Sequence, residues 1–356
     1  EFNFGVGVSS VDSFLGNVKL TQRNFDYKDM PKSWRDIIGG NAFVGAGQTA
    51  SIEAQAGTER SRYAISFYEP WAFDRPIRLG GSIFHTTDTF SNFDQTNTGF
   101  TASVGKRLWG PRWDGEITYR FAYTTIGDIG RRYPPILREQ EGSRILSQIR
   151  PKLLYDSRDS RILPSKGWLM EAGVELGGGP LLGDYNWIRP SLDLARYMTI
   201  FKLKNGQKHI LELRGRAAMI ESYGDTDQPP PFLRYYAGGI DTIRGFAYRT
   251  ITPRESGFQI GGKKLLVGTA EYSMPLYEEI VRGSVFVDAG TAYDGGDPDP
   301  RRRITNDEGL RASVGVGLQI RTPFSPLPLR VYFSRAVQKA DQDKIKTIDF
   351  SFGTSF

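Results

Sequence analysis

A chain of 356 residues with 39% hydrophobic and 24% charged residues holds no apolar run near the roughly 18 residues that a membrane-crossing helix needs, which excludes a helical membrane protein. Cysteine is absent, which excludes a disulfide framework and a thiolate metal site, while 41 Gly, 17 Tyr and 22 Phe suit strands that alternate small or polar residues with aromatics. The net charge of +6 is spread among acids along the chain, so no nucleic-acid partner is expected.

Strand-like segments and turn signals alternate from end to end, which predicts an all-β protein. The first segment sets the pattern: Phe2, Phe4, Val6 and Val8 alternate with Asn3, Gly5, Gly7 and Ser9. Strands are expected near residues 2–10, 14–24, 42–57, 60–70, 77–90, 95–107, 114–126, 143–156, 167–177, 185–200, 208–222, 264–275, 281–293, 308–321, 328–337 and 346–356. That is an even number of segments, most of them as long as the roughly 9–11 residues that cross a bilayer as a strand, which is barrel arithmetic.

The connections fall into two kinds. Pro70 to Pro76, Leu108 to Arg112 and Thr322 to Pro326 are compact and carry aromatics or prolines, whereas 127–142, 223–263 and 294–307 are long and polar. Short periplasmic turns and long extracellular loops produce this two-beat pattern. Residues 25–41 depart from it: Met30 to Ile38 reads either as a short interfacial helix with Pro31 at its start or as an irregular loop. The cluster Arg301, Arg302, Arg303 lies beside Asp297, Asp299, Asp307 and Glu308 and reads as a solvated loop. His85 and His209 each stand alone in strand-like context, so no metal and no cofactor are expected. No linker divides the chain, which reads as one domain over 1–356; beginning Glu-Phe-Asn-Phe with no leader, it reads as a mature or excised fragment.

Two features carry chemistry. In the long segment 223–263, Gly238-Gly239 precede Ile243-Arg244-Gly245-Phe246; a loop entering a lumen needs a directional anchor, and the planar fork of Arg244 supplies one beside a glycine that permits close backbone approach. Period-two counting puts Ser284, Phe286, Asp288 and Gly290 on one face and makes Glu271 and Asp288 candidates for the inward wall of adjacent strands. The end of the chain, Thr347 to Phe356, alternates polar and apolar residues and stops on an aromatic.

The stretch Phe232 to Phe246 closely resembles the signature of the BamA superfamily, in which an aromatic segment and Gly-Gly precede a V/I-R-G-F/Y tip on the sixth extracellular loop. Gly268 to Leu276 looks like that family's twelfth strand, Phe286 to Gly290 like its thirteenth, and Asp156-Ser157-Arg158-Asp159 through Pro164 and Gly167 like its fourth periplasmic turn. Thr347 to Phe356 resembles the terminal β-signal of outer-membrane barrels. The resemblance covers essentially the whole chain. It implies an integral barrel of the bacterial outer membrane: an antiparallel transmembrane β-barrel of 16 strands with the long extracellular loop folded into the lumen, where Glu271 and Asp288 partner Arg244.

The resemblance also implies an insertase that folds and inserts unfolded β-barrel clients into outer-membrane lipid through a lateral seam between first and last strands. That seam would comprise Phe2, Phe4, Gly5 and Gly7 on one side and Phe350, Phe352, Gly353 and Phe356 on the other, its glycines weakening the packing. Soluble POTRA repeats, missing from this chain, would engage periplasmic chaperones and accessory lipoproteins. TamA-type assembly proteins and two-partner-secretion transporters share the Arg-Gly-aromatic loop and remain alternatives, and a passive porin would share the barrel. An enzyme is not expected: no G-x-S-x-G elbow, H-E-x-x-H site or P-loop occurs, and Gly177-Gly178-Gly179-Pro180 lacks the Lys-Ser/Thr that phosphate binding requires.

Overall fold

A computed structural model describes residues 2–9, 13–38, 42–90, 93–127, 129–130, 132–278, 280–295, 304–305, 309–322 and 325–352. The basic cluster Arg301, Arg302, Arg303 with Asp297, Asp299, Asp307 and Glu308, and the seam candidates Gly353 and Phe356, lie outside the described residues.

The long strands are β1 (Phe2–Ser9), β2 (Ser13–Phe25), β3 (Val44–Gly57), β4 (Arg60–Glu69), β5 (Ile77–Thr89), β6 (Asp94–Arg107), β7 (Trp113–Gly127) and β8 (Gly142–Asp156). They continue with β9 (Gly167–Gly177), β10 (Trp187–Lys202), β11 (Lys208–Met219), β12 (Lys264–Tyr277), β13 (Val281–Tyr293), β14 (Arg311–Thr322), β15 (Ser325–Gln338) and β16 (Ile348–Phe352). These 16 strands form one antiparallel sheet in which each pairs with its neighbours in the chain. The sheet returns to its start, because β1 also pairs antiparallel with β16 through Val8↔Phe352 and Ser9↔Ser351. Among the described residues no helix is long and apolar enough to cross a membrane.

Alternation sorts the side chains. On β13 and β14, Val285, Val287, Val314 and Val316 face outward and are exposed, while Phe286, Asp288, Arg311 and Ser313 face inward and are buried. Ile52, Ile65, Ile83 and Phe333 continue the exposed apolar surface around the sheet. Burying one such side chain is worth roughly 1.5–3 kcal/mol, so a continuous outer belt of them is stable only against hydrocarbon. Ion pairs line the inner wall, among them Arg150–Glu171 at 3.2 Å and Lys152–Glu116 at 3.6 Å.

The structure refines the sequence expectation at four places. The strand expected from 328 begins at Ser325; Thr322 pairs with Ser325, and the register shift before Ile320↔Leu329 absorbs Pro326 and Pro328 in a bulge, one of the few strand sites that accept proline. The strand expected over 208–222 is interrupted only at Ile220: β11 ends at Met219, the Ile220 amide donates to Lys263 O in line with the β11–β12 ladder, and Glu221–Ser222 continues the pairing with β10 in the same register. In residues 25–41 a short helix forms over Trp34–Ile38, three residues after Pro31. Ser33 and Asp36 cap its start reciprocally, with the Ser33 amide on the Asp36 carboxylate and the Asp36 amide on the Ser33 hydroxyl. Finally, β16 begins at Ile348 and not near 346, for a reason that belongs to the lumenal loop.

At the long-loop end, Phe93, Ile126, Ile129, Ile136, Leu137 and Ile260 pack into one cluster that joins the loops after β5, β7 and β11. Beside it Arg254–Glu255 pairs with both Phe258–Gln259 and Ile304–Thr305 in a small three-stranded sheet.

Candidate functional site

The loop between β11 and β12 is packed like a core. Ala237, Ile243, Phe246 and Ile251 are fully buried against Leu265 and Val267 of β12 and Ala292 of β13. Its tight path depends on glycines in the left-handed half of backbone space: Gly238 (φ +103°) would place a Cβ 2.4 Å from Ala247 O, and Gly245 (φ +87°) would place one 3.3 Å from the Cβ atoms of Ser313 and Ser334. Gly239 donates its amide to Phe246 O at 3.0 Å and to Ile243 O at 3.2 Å, closing the turn that presents Arg244.

Arg244 meets the wall as a fork. Its Nε donates to Asp288 Oδ2 and its Nη2 to Asp288 Oδ1, both at 2.8 Å, while Nη1 donates to Glu271 Oε2 at 2.6 Å. The main-chain amide of Arg244 adds a bond to Asp288 Oδ2 at 3.0 Å, and Thr269 Oγ1 donates to Asp288 Oδ1 at 2.9 Å. The guanidinium carbon lies 3.4 Å from the centre of the Phe286 ring and 4.6 Å from that of Tyr332. Arg244, Glu271 and Asp288 are 2%, 3% and 1% exposed, so this is a desolvated charge cluster. Burial pulls the Arg244 pKa down, but the hydrogen bonds and charge of Asp288 outweigh it and hold the guanidinium above its ordinary value.

Register explains the convergence. Thr269↔Asp288 and Glu271↔Phe286 are opposed pairs of β12 and β13, and opposed residues share a face. Gly290 does not belong to the arginine's cradle: a Cβ there would sit 2.4 Å from Leu266 O, so it serves the close approach of β12 to β13.

The same tip touches the last strand. Phe246 and Ile345 form an isolated antiparallel bridge, the Ala247 amide donates to Lys344 O at 2.8 Å, and the Lys346 amide donates to Gly245 O at 3.1 Å. The Gly245 amide lies 3.4 Å from Asp349 Oδ2 on β16. Residues 344–346 therefore ladder with the loop instead of extending β16, which is why that strand starts at Ile348.

Three anchoring groups were not singled out from the sequence. Arg311 on β14 pairs with Asp343 at 3.0 Å, both fully buried, and Asp343 also accepts the Ala340 amide. Arg234, early in the loop, and Lys263, at its end, each lie 3.7 Å from Asp294. Tyr332 shares the Arg244 platform from β15. The available signal was an aromatic or arginine on the otherwise small and polar face of an alternating strand.

The seam candidates sit on the two strands that close the sheet. Phe2↔Leu20, Phe4↔Val18, Gly5↔Asn17 and Gly7↔Leu15 pair β1 with β2 along its whole length. Phe350 pairs with Val331 of β15 and faces outward, and Phe352 pairs with Val8. The described part of the ladder between β1 and β16 comprises Val8↔Phe352 and Ser9↔Ser351. Among the described residues no cluster of three or more His, Asp or Glu could hold a metal ion. His85 bonds to Thr98, and His209 bonds to Tyr272 and stacks on Phe201.

The chain is similar to curated relatives named outer membrane protein assembly factor BamA: 29% identical over 88% of the chain to that of Nitratidesulfovibrio vulgaris, and 25% over 99% to that of Neorickettsia risticii. It spans 38% and 45% of those relatives' lengths. The fold superposes on the crystal structure of BamA from Haemophilus ducreyi lacking POTRA domains 1–3 with a TM-score of 0.82 at 20% identity, covering 100% of this chain and 70% of that one. Relatives and fold together make it an integral β-barrel of the bacterial outer membrane. The profile of the Omp85 superfamily domain matches residues 42–356, and the chain belongs to that superfamily.

Proposed function

We propose that this barrel is the membrane part of an assembly factor that folds and inserts other β-barrels through the seam between β1 and β16. The carrying observation is that one loop tip does two things at once: Arg244 is fixed to the β12–β13 wall, while Gly245, Phe246 and Ala247 ladder with residues 344–346, which lead into β16. An anchored loop thus positions one edge of the seam at which β1 meets β16. Unpaired N–H and C=O groups in hydrocarbon cost several kcal/mol each, so an edge that opens there captures an incoming strand by main-chain pairing. The role is mechanical, with no catalytic step. In the full-length protein, clients would arrive through the periplasmic repeats, with chaperones and accessory lipoproteins as further partners.

The chain has no native cysteine, so Ser9→Cys with Ser351→Cys introduces one bridge at a registered pair of the seam. The full-length double variant, reconstituted in vesicles with an unfolded barrel client, should stop inserting when oxidised and recover on reduction. Insertion at the wild-type rate by a verified cross-linked protein overturns the gate. Release of a soluble β-helical partner without barrel insertion would replace this reading with the two-partner-secretion one.

A further inference from the structure

The outer surface of a barrel is convex, yet strands β6 to β10 carry an apolar groove of about 770 Å³. It is built from two adjacent rows of outward positions. One runs Lys106, Gly115, Leu153, Ala172, Leu192; the next runs Val104, Ile117, Pro151, with Val174 and Pro190 beyond. Two causes make it concave. Ala172 stands where the neighbouring row carries a branched side chain, with Leu108 folded over Gly115 as one wall, and the β8–β9 pairing lapses between Ile149↔Leu176 and Lys152↔Gly173, where Pro151 lacks the N–H that a ladder needs. The volume falls in the range of about 300–1,000 Å³ typical of ligand sites.

One end of the groove is polar. Lys106 is exposed beside the short turn 108–112, and no carboxylate pairs with it among the described residues. Trp109 packs edge-on against Trp113 at 5.6 Å, and Trp113 lies 4.8 Å from Tyr155, forming an aromatic cluster at the same end. Trp and Tyr collect at headgroup depth, and short turns lie on the periplasmic side. The cation therefore sits at the headgroup level of the inner leaflet, with an apolar trough leading from it into the hydrocarbon layer. A lysine stem can lie along apolar surface while its ammonium reaches a phosphate.

We infer that this groove is a binding site for a single inner-leaflet phospholipid, an acyl chain lying in the trough and the phosphate on Lys106. The site lies on the far side of the sheet from β1 and β16 and is independent of how the seam works.

The test is retention of phospholipid by the full-length protein, extracted in mild detergent from vesicles of phosphatidylethanolamine with a minority of phosphatidylglycerol and read by native mass spectrometry. Wild type should retain one phospholipid that Ala172→Phe loses, while Ala54→Phe, on the exposed face of β3, retains it. Lys106→Gln should weaken retention by about fivefold, the effect of one partly exposed ion pair. Equal retention by folded Ala172→Phe and wild type overturns the site. Should Ala172→Phe fail to fold, a bimane label attached after folding to Leu192→Cys decides. Brominated-chain phosphatidylethanolamine should quench it at several-fold lower mole fraction than the same label at Ile52→Cys, and equal quenching overturns the proposal.

Discussion

Phe246 and Ile345 are bridged backbone to backbone, although 99 positions separate them in the numbering, and the bridge ties the tip of the lumenal loop to the approach of the last strand. The loop's anchor and the seam are thereby parts of one hydrogen-bonded structure.

Arg244→Ala should release that tip. Removing one partner from a fully buried ion pair costs roughly 3–5 kcal/mol, because Asp288 and Glu271 are left buried without their cation. The expected result is a folded barrel whose loop over 234–250 becomes cleavable by added protease and whose client insertion falls at least tenfold. Arg244→Lys should recover little, since an ammonium cannot reproduce the bidentate contact or the stacking on Phe286. A protease-resistant loop in Arg244→Ala would show that the cluster is not the anchor.

Gly245→Ala tests the link to β16 separately from charge. At φ +87° an alanine costs about 1–2 kcal/mol, and its Cβ also crowds Ser313 and Ser334. The Lys346 amide, which donates to Gly245 O, should exchange with deuterium about tenfold faster while the β12–β13 wall is unaffected.

The Arg311–Asp343 pair should hold the segment 339–347 in the same way. Asp343→Ala leaves a buried guanidinium and should expose that segment to exchange, with a loss of roughly 3–5 kcal/mol. Arg311→Met with Asp343→Leu should restore much of the lost stability, because an apolar pair of similar volume needs no charge compensation. Thermal unfolding of the three variants in detergent distinguishes the pair from simple overpacking.

Acid should loosen the turn between β8 and β9. Burial pushes the Asp159 carboxyl up, but the Ser165 hydroxyl and the amides of Ser165 and Lys166 outweigh it and bring the pKa down to about 2 from 3.8. A depressed carboxylate pKa contributes stability that is complete above the unfolded value and is lost as pH falls from about 4 through about 2. Amide exchange at Ser165 and Lys166, corrected for intrinsic rate, should therefore be unchanged from pH 7 to 5 and accelerate below 4; Asp159→Asn should be fast throughout and lack that transition.

Much of the wall was legible in the sequence because a strand has a period of two and hence only two possible faces. Once Phe286 and Asp288 share a phase, their common face follows, and the opposed register with Thr269 and Glu271 completes the cradle. Local chemistry likewise announced the loop tip: Gly238, Gly239 and Gly245 permit the backbone turns that carry an arginine inward. The extent of the last strand was less legible. The apolar phase of Ile348, Phe350 and Phe352 lapses at Lys346, and Lys344 and Lys346 bond to the loop, since a main-chain donor goes to whichever acceptor the packing brings near.

By itself the sequence determined the strand count, the sorting of side chains between lipid and lumen, and the residues able to anchor a loop, all consequences of local periodicity and turn chemistry. Only the tertiary structure decided that Tyr332 joins Phe286 around Arg244, that Arg311 finds Asp343, and that β1 meets β16 with Val8 opposite Phe352. Those relations depend on the register at which the ring closes, and register is set by every strand together, so no single segment carries it.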